Sequence, residues 1–219
     1  MTAAQQLISI GRELSALGIS PGSSGNISVR EGERLLVTGT GVQLGDLRED
    51  DLAVLDLDGT HLAGARASKE VPLHRGMYRR DPEFGAVVHL HSPWATALSC
   101  TPPWSERSAV PPLTPYFVMR VGQTPLLPYR MPGSPQLGED VLAAPGPFRA
   151  ALLAHHGSVV AGRDLREALD RAVELEEACR LAVLTASVPR RVLDPAQIAE
   201  LAERWGSPWT SESVRPGQD

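Results

Sequence analysis

Apolar positions change period repeatedly along this chain, and the changes mark its elements. Residues 3–17 carry Leu7, Ile8, Ile10, Leu14 and Leu17 at mostly helical spacing, with Gly18 as a stop. The polar run Pro21-Gly22-Ser23-Ser24-Gly25-Asn26 predicts a tight loop feeding a strand at Ile27–Val29. Arg34–Thr38 and Leu52–Leu57 read as strands, the second ending on the hairpin-like turn Asp58-Gly59. Val71–Arg80 predicts a helix that tolerates Pro72 in its first turn. Ala86–His91 reads as a buried strand, and Ser92-Pro93 as the cap and first residue of a helix reaching Cys100.

Five prolines within 102–115 predict an extended surface segment. Val118–Val121 and Leu126–Pro128 read as short strands around Gly122, and Leu137–Ala144 as a helix. Ala151–Ala154 and Ser158–Ala161 are strand-like on either side of His155-His156-Gly157. Asp164 and Glu167 have capping-box spacing and open the longest helix, to about Thr185. Asp194-Pro195 opens one more. Helices and strands mix without a regular βαβ beat, which predicts α/β layers around a largely antiparallel or mixed sheet. A single domain over residues 1–205 is expected, with 206–219 as a flexible tail.

The 219 residues, 42% of them hydrophobic, suffice for a core that needs no staple. A net charge of −5 argues against a nucleic-acid binder with a basic face and against a polybasic membrane anchor, while leaving room for a local pocket that takes an anion. Two cysteines, Cys100 and Cys179, without a Cys-x-x-Cys, read as free thiols in a reducing compartment. No apolar run matches a signal segment or a membrane span, so the cytoplasm is the expected location.

Candidate chemistry falls in four places. On a strand, His89 and His91 project to the same face, about 6–7 Å apart at Cβ, a gap that two imidazoles can close onto one metal. In His155-His156-Gly157 adjacent residues point opposite ways, so only one of the two can join that pair. Ser68-Lys69-Glu70 sets a carboxylate at a helix N-terminus, where the dipole favours its charge. Gly25-Asn26-Ile27-Ser28 and Thr38-Gly39-Thr40-Gly41 offer main-chain N–H groups and small polar side chains of the kind that cradle phosphate, or are plain turns. The spacing Gly39-x-Gly41-x-x-x-Gly45 is wrong for a dinucleotide fingerprint. His61 and His74 read as ordinary surface or packing residues.

In order, GSSGNIS, LLVTGTG, ASKE, VVHLHSPWATALS, HHGSVVAG and the long helix resemble the class II aldolase/adducin family over about residues 5–185. The resemblance implies a three-layer α/β/α sandwich around a mixed, largely antiparallel sheet. It implies His89, His91 and His156 as ligands of Zn2+, with Mn2+ or Co2+ as substitutes, and Glu70 as the catalytic carboxylate. It implies Asn26, Thr40, Gly41 and Ser68 on the phosphate-binding loops. Tyr116 corresponds to a tyrosine that reaches the active site of a neighbouring subunit, and the implied assembly is a homotetramer with sites at subunit interfaces. Lys69 stands where fuculose-phosphate aldolases carry a small hydroxyl residue. Together with LTPYFVMRVG, QTPLLPYR and PGSPQLGEDV, it resembles the branch that decarboxylates 3-oxo-tetronate 4-phosphate. The implied partner is a small phosphorylated sugar or sugar acid, cleaved by a lyase through an enediolate. Aldol cleavage of a ketose phosphate, dehydration or epimerisation are the alternatives. A non-catalytic adducin-like assembly domain lacks these histidines.

Overall fold

A computed structural model describes residues 1–210. The chain runs α1 (Ala3–Ala16), β1 (Asn26–Glu31), β2 (Arg34–Thr38), β3 (Leu52–Asp56), β4 (His61–Gly64), α2 (Val71–Arg80), β5 (Ala86–Leu90) and α3 (Pro93–Ser99). It continues through α4 (Pro115–Arg120), β6 (Leu126–Leu127), α5 (Gln136–Ala143), β7 (Ala150–Leu153), β8 (Gly157–Gly162), α6 (Leu165–Leu184) and α7 (Pro195–Trp205). The strands form one sheet in the order β4-β3-β2-β1-β5-β8-β7-β6. Its pairings are antiparallel except β6 with β7. This is the expected α/β architecture, helices covering a mixed and mostly antiparallel sheet.

Strand alternation sorts the core into two layers. Ile27, Val29, Ala86, Val88, Leu90, Leu152 and Val160 face α1, α3, α4 and α6. Leu35, Val37, Val87, Ala151, Leu153, Val159 and Ala161 face α2 and α5. The central strands β5 and β8 are buried along their whole length, which is why they read as unbroken apolar runs rather than as alternation.

Three expectations need correction. Residues 118–120 belong to a helix, not a strand, and Val121 is its C-cap. Thr114 caps α4 by accepting the Phe117 N–H at 3.2 Å, and Pro115 supplies the preset first residue. The proline-rich segment is not a surface segment, because Trp104, Ala109 and Val110 are buried. Its backbone polar groups find partners at Ser105 and Ser108, whose hydroxyls accept the N–H groups of Ser108 and Thr124. The tail does not separate at Gly206, which ends α7 in a left-handed conformation. Ser207 is buried, Trp209 meets Phe117 edge-on at 6.1 Å, and Thr210 exchanges hydrogen bonds with Gln123. The remainder of the expected tail, 211–219, lies outside the described residues. Among the described residues no helix is long and apolar enough to cross a membrane.

Candidate metal centre and anion pocket

Three imidazoles converge at the end of the central strand pair. His89 lies on β5, His91 just past it, and His156 immediately before β8. The β5–β8 ladder sets His89 opposite Val159 and Leu90 opposite Ser158, which brings the two segments together. Gly157 is required by that approach, since a Cβ there would lie 2.2 Å from the Leu90 carbonyl oxygen. His155 adopts a left-handed conformation, φ 58°, which turns the chain between β7 and β8; of the adjacent pair only His156 joins the cluster, and His155 stays exposed.

The Nε2 atoms of His89 and His156 each lie 3.0 Å from His91 Nε2. His89 Nδ1 is 2.8 Å from the Ser158 carbonyl oxygen. A carbonyl only accepts, so Nδ1 carries the proton and Nε2 presents its lone pair to the cluster. Burial pushes all three imidazoles below their usual range: His89 furthest, with its histidine neighbours adding to the effect, and His156 to about 4. They are neutral at pH 7, the form that ligates a metal.

Glu70 is the N-cap of α2, and its buried Oε2 lies 3.7 Å from His89 Nε2. Burial raises its pKa, opposed by the Lys69 charge and the Gly133 main-chain N–H. Among the described residues three buried side-chain polar atoms lack a hydrogen-bond partner, and two of them, Glu70 Oε2 and His156 Nδ1, belong to this cluster. Three converging imidazole nitrogens beside a partnerless carboxylate oxygen form a set that a cation would satisfy. The donor set fits a divalent metal: a tetrahedral ion with bonds of about 2.0–2.1 Å holds its ligand nitrogens roughly 3.3 Å apart.

Beside the imidazoles lies a cavity of about 250 Å³ lined by Ser24, Asn26, Thr40, Gly41, Ser68, Lys69, Glu70 and His91. Its loops are stitched together by main-chain bonds, Thr40 N–H to Arg66 O, Ser68 N–H to Thr38 O and Gly39 N–H to Asp51 O. Seven of the ten residues singled out in the sequence line this cavity, and His89 and His156 complete the imidazole cluster beside it. Tyr116 does not line this cavity. It is 54% exposed on α4, with Arg120 over its ring.

Sequence reasoning missed two supports. Glu176 of α6 accepts hydrogen bonds from Ser92 Oγ at 2.6 Å, Trp94 N at 2.8 Å and Ala95 N at 2.9 Å. Ser92 thus occupies the N-cap position without capping with its own side chain; the distant carboxylate does so and holds the segment after His91. No local signal announces a cap supplied from another helix. The second support is His74, which is no ordinary packing residue. It is completely buried and hydrogen-bonded to Asn26 and Ser28. Its signal was its place one helical turn after Glu70. His61 is a surface residue, bonded to the Ala65 carbonyl.

Residues 5–183 match the family described as Class II Aldolase and Adducin N-terminal domain. The chain belongs to this family. A 3-oxo-tetronate 4-phosphate decarboxylase of Haemophilus influenzae is 42% identical over 199 residues, covering 90% of this chain and 95% of the relative. An L-fuculose phosphate aldolase of Escherichia coli is 33% identical over 206 residues, covering 92% and 93%. The crystal structure of YgbL from Escherichia coli superposes with a TM-score of 0.86 at 39% identity, covering 90% of this chain and 96% of that one. Class II aldolase-family relatives with these activities are lyases, and this chain is a metal-dependent lyase of the same kind.

Proposed function

We propose that this protein is a zinc-dependent carboxy-lyase that converts 3-oxo-tetronate 4-phosphate to dihydroxyacetone phosphate and CO2 in the cytoplasm. The observation that carries this reading is Lys69. It lines the cavity with Asn26, Thr40, Gly41 and Ser68, and its charge acts on Glu70, His91 and His156. A cation between imidazole centre and anion loops suits a substrate with a carboxylate and a phosphate at its two ends. Likeness to decarboxylases across nine-tenths of the chain supports the same substrate.

Three neutral imidazoles favour Zn2+, with Mn2+ or Co2+ as substitutes. His89, His91 and His156 would hold the ion, which when bound supplies Lewis-acid stabilisation of developing negative charge. Asn26, Thr40, Gly41 and Ser68 bind the phosphate, and Lys69 the phosphate or carboxylate, so binding energy remote from the reacting bond positions it. When the bond between C1 and C2 breaks, C1 leaves as CO2 and its electrons remain as an enediolate across C2 and C3. A proton delivered to C2 completes the product. Glu70 is assigned as the acid/base group, since burial holds its carboxyl nearer to neutral pH than an exposed one. Tyr116, outside its own chain's cavity, is assigned as a second donor to the site of a neighbouring subunit in a homotetramer.

Aldol cleavage remains the second reading, favoured by the likeness to L-fuculose phosphate aldolase. The test is CO2 release from 3-oxo-tetronate 4-phosphate generated in situ, with and without chelator. Chelator-sensitive CO2 in step with dihydroxyacetone phosphate is the expected result. No CO2, but aldehyde release from a ketose 1-phosphate, would replace the decarboxylase by the aldolase.

A further inference from the structure

One face of α2 carries more than Glu70. One and two turns further along lie His74 and Tyr78, both buried. Burying three polar side chains on this face is costly unless each is paired. His74 is paired at both ring nitrogens: Nδ1 lies 2.7 Å from Ser28 Oγ, and Nε2 lies 2.5 Å from Asn26 Oδ1. Ser28 Oγ lies 2.8 Å from the Tyr78 hydroxyl. Asn26 and Ser28 are two residues apart on β1, so both reach the same side of the sheet.

Proton accounting gives this chain a direction. Asn26 Oδ1 only accepts, so His74 Nε2 carries the proton of the neutral ring and donates to it. His74 Nδ1 is then left to accept from Ser28 Oγ, and Ser28 Oγ to accept from the Tyr78 hydroxyl. With its oxygen engaged, Asn26 has its two amide hydrogens left for the anion cavity that it lines. An Asn26 amide turned the other way would meet a phosphate with its oxygen, and attraction would become repulsion.

We propose that His74 is a positioning residue for anion recognition: with Tyr78 and Ser28 setting its tautomer, it locks Asn26 with its N–H donors towards the substrate's phosphate. This rests on the reading of the loops as a phosphate site. None of the three relay residues lines the cavity, so none is placed to touch substrate. Tyr78→Phe and Ser28→Ala each cut the relay with little change in core volume; two variants guard against one failing to fold.

The experiment uses the full-length, metal-loaded protein and inorganic phosphate as probe, by calorimetry, together with KM and kcat for the phosphorylated substrate. Phosphate affinity should fall about three- to tenfold in both variants, the range expected when one hydrogen bond to a charged group is weakened. KM should rise to match, while kcat and bound metal stay as in wild type. Nitrogen NMR of the ring should report His74 protonated at Nε2 in wild type and a mixture of tautomers in Tyr78→Phe. Equal phosphate affinity in folded variants and wild type would overturn the role of His74 alone, as would an Nδ1-protonated ring in wild type. A wild-type protein blind to phosphate would instead remove the phosphate reading of the loops, and with it the task assigned to Asn26.

Discussion

The imidazole centre and the loop cavity beside it share a wall, yet they are held in different ways. The centre hangs on β5 and β8, whose ladder runs from Ala86 opposite Gly162 to Leu90 opposite Ser158. A second tie from Glu176 fixes the segment after His91. Its geometry belongs to the middle of the sheet and fails as a unit. The pocket is made of three loops joined by single main-chain bonds, with Gly25 and Gly41 at positive φ. Its geometry is a sum of local contacts, each of which can be weakened alone. Damage to the centre should therefore be all-or-none, and damage to the pocket graded.

Glu70 is where the contrast can be broken, because it ends a pocket loop while its carboxylate faces the centre. Glu70→Gln should lower turnover about 100-fold or more with bound metal unchanged, as measured by elemental analysis beside steady-state kinetics. Unchanged turnover would remove it from the acid/base role. Loss of metal together with activity would move it into the ligand set.

Acid should sharpen the contrast. In metal-free protein His74 and His156 are held to about 3 and about 4, against an ordinary value of 6.5. Below about pH 6.5 the unfolded chain takes up protons that these folded rings refuse, so stability falls with pH until the folded values are reached. The loss is about 2 kcal/mol per ring by pH 5. Melting curves of the metal-free protein between pH 7 and 5 should show a steep decline, and His156→Gln should flatten it. Parallel slopes for the two proteins would contradict the assignment.

The smallest effect should come from the pocket. Gly41 has φ 77° and open space around its missing side chain, so Gly41→Ala meets conformational strain and nothing else. A penalty of about 1 kcal/mol predicts a rise in KM of roughly fivefold, with kcat and bound metal unchanged. A drop in kcat would show that the loops and the centre are mechanically one.

Much of this was legible in the sequence for physical reasons. The period-two placement of His89 and His91 on an apolar strand survives any sheet topology, because alternation is a property of the strand itself. The glycine-rich loops were visible by composition. What stayed hidden depended on contacts made across the fold. Residues 118–121 look apolar and β-prone, and a short run of that kind cannot be told from a buried helix by period. The prolines at 102–115 exclude regular structure but say nothing about depth, since serine hydroxyls can satisfy a buried backbone. Glu176 lies 84 residues from Ser92, and Tyr78 lies 50 from Ser28, so no local pattern links either pair. Strand β4 escaped because its four residues are all exposed, leaving no alternation to detect.

The pairing of β5 with β8 also dictates an order of events in the cell. His89 and His91 emerge from the ribosome long before His156, and they have no third partner until β8 has docked. The Glu176 clamp arrives later still, on the far half of α6. A growing chain thus presents two of the three imidazoles, and the third joins them only when most of the protein has been made. An ion that needs all three imidazoles would therefore find its site only late in synthesis.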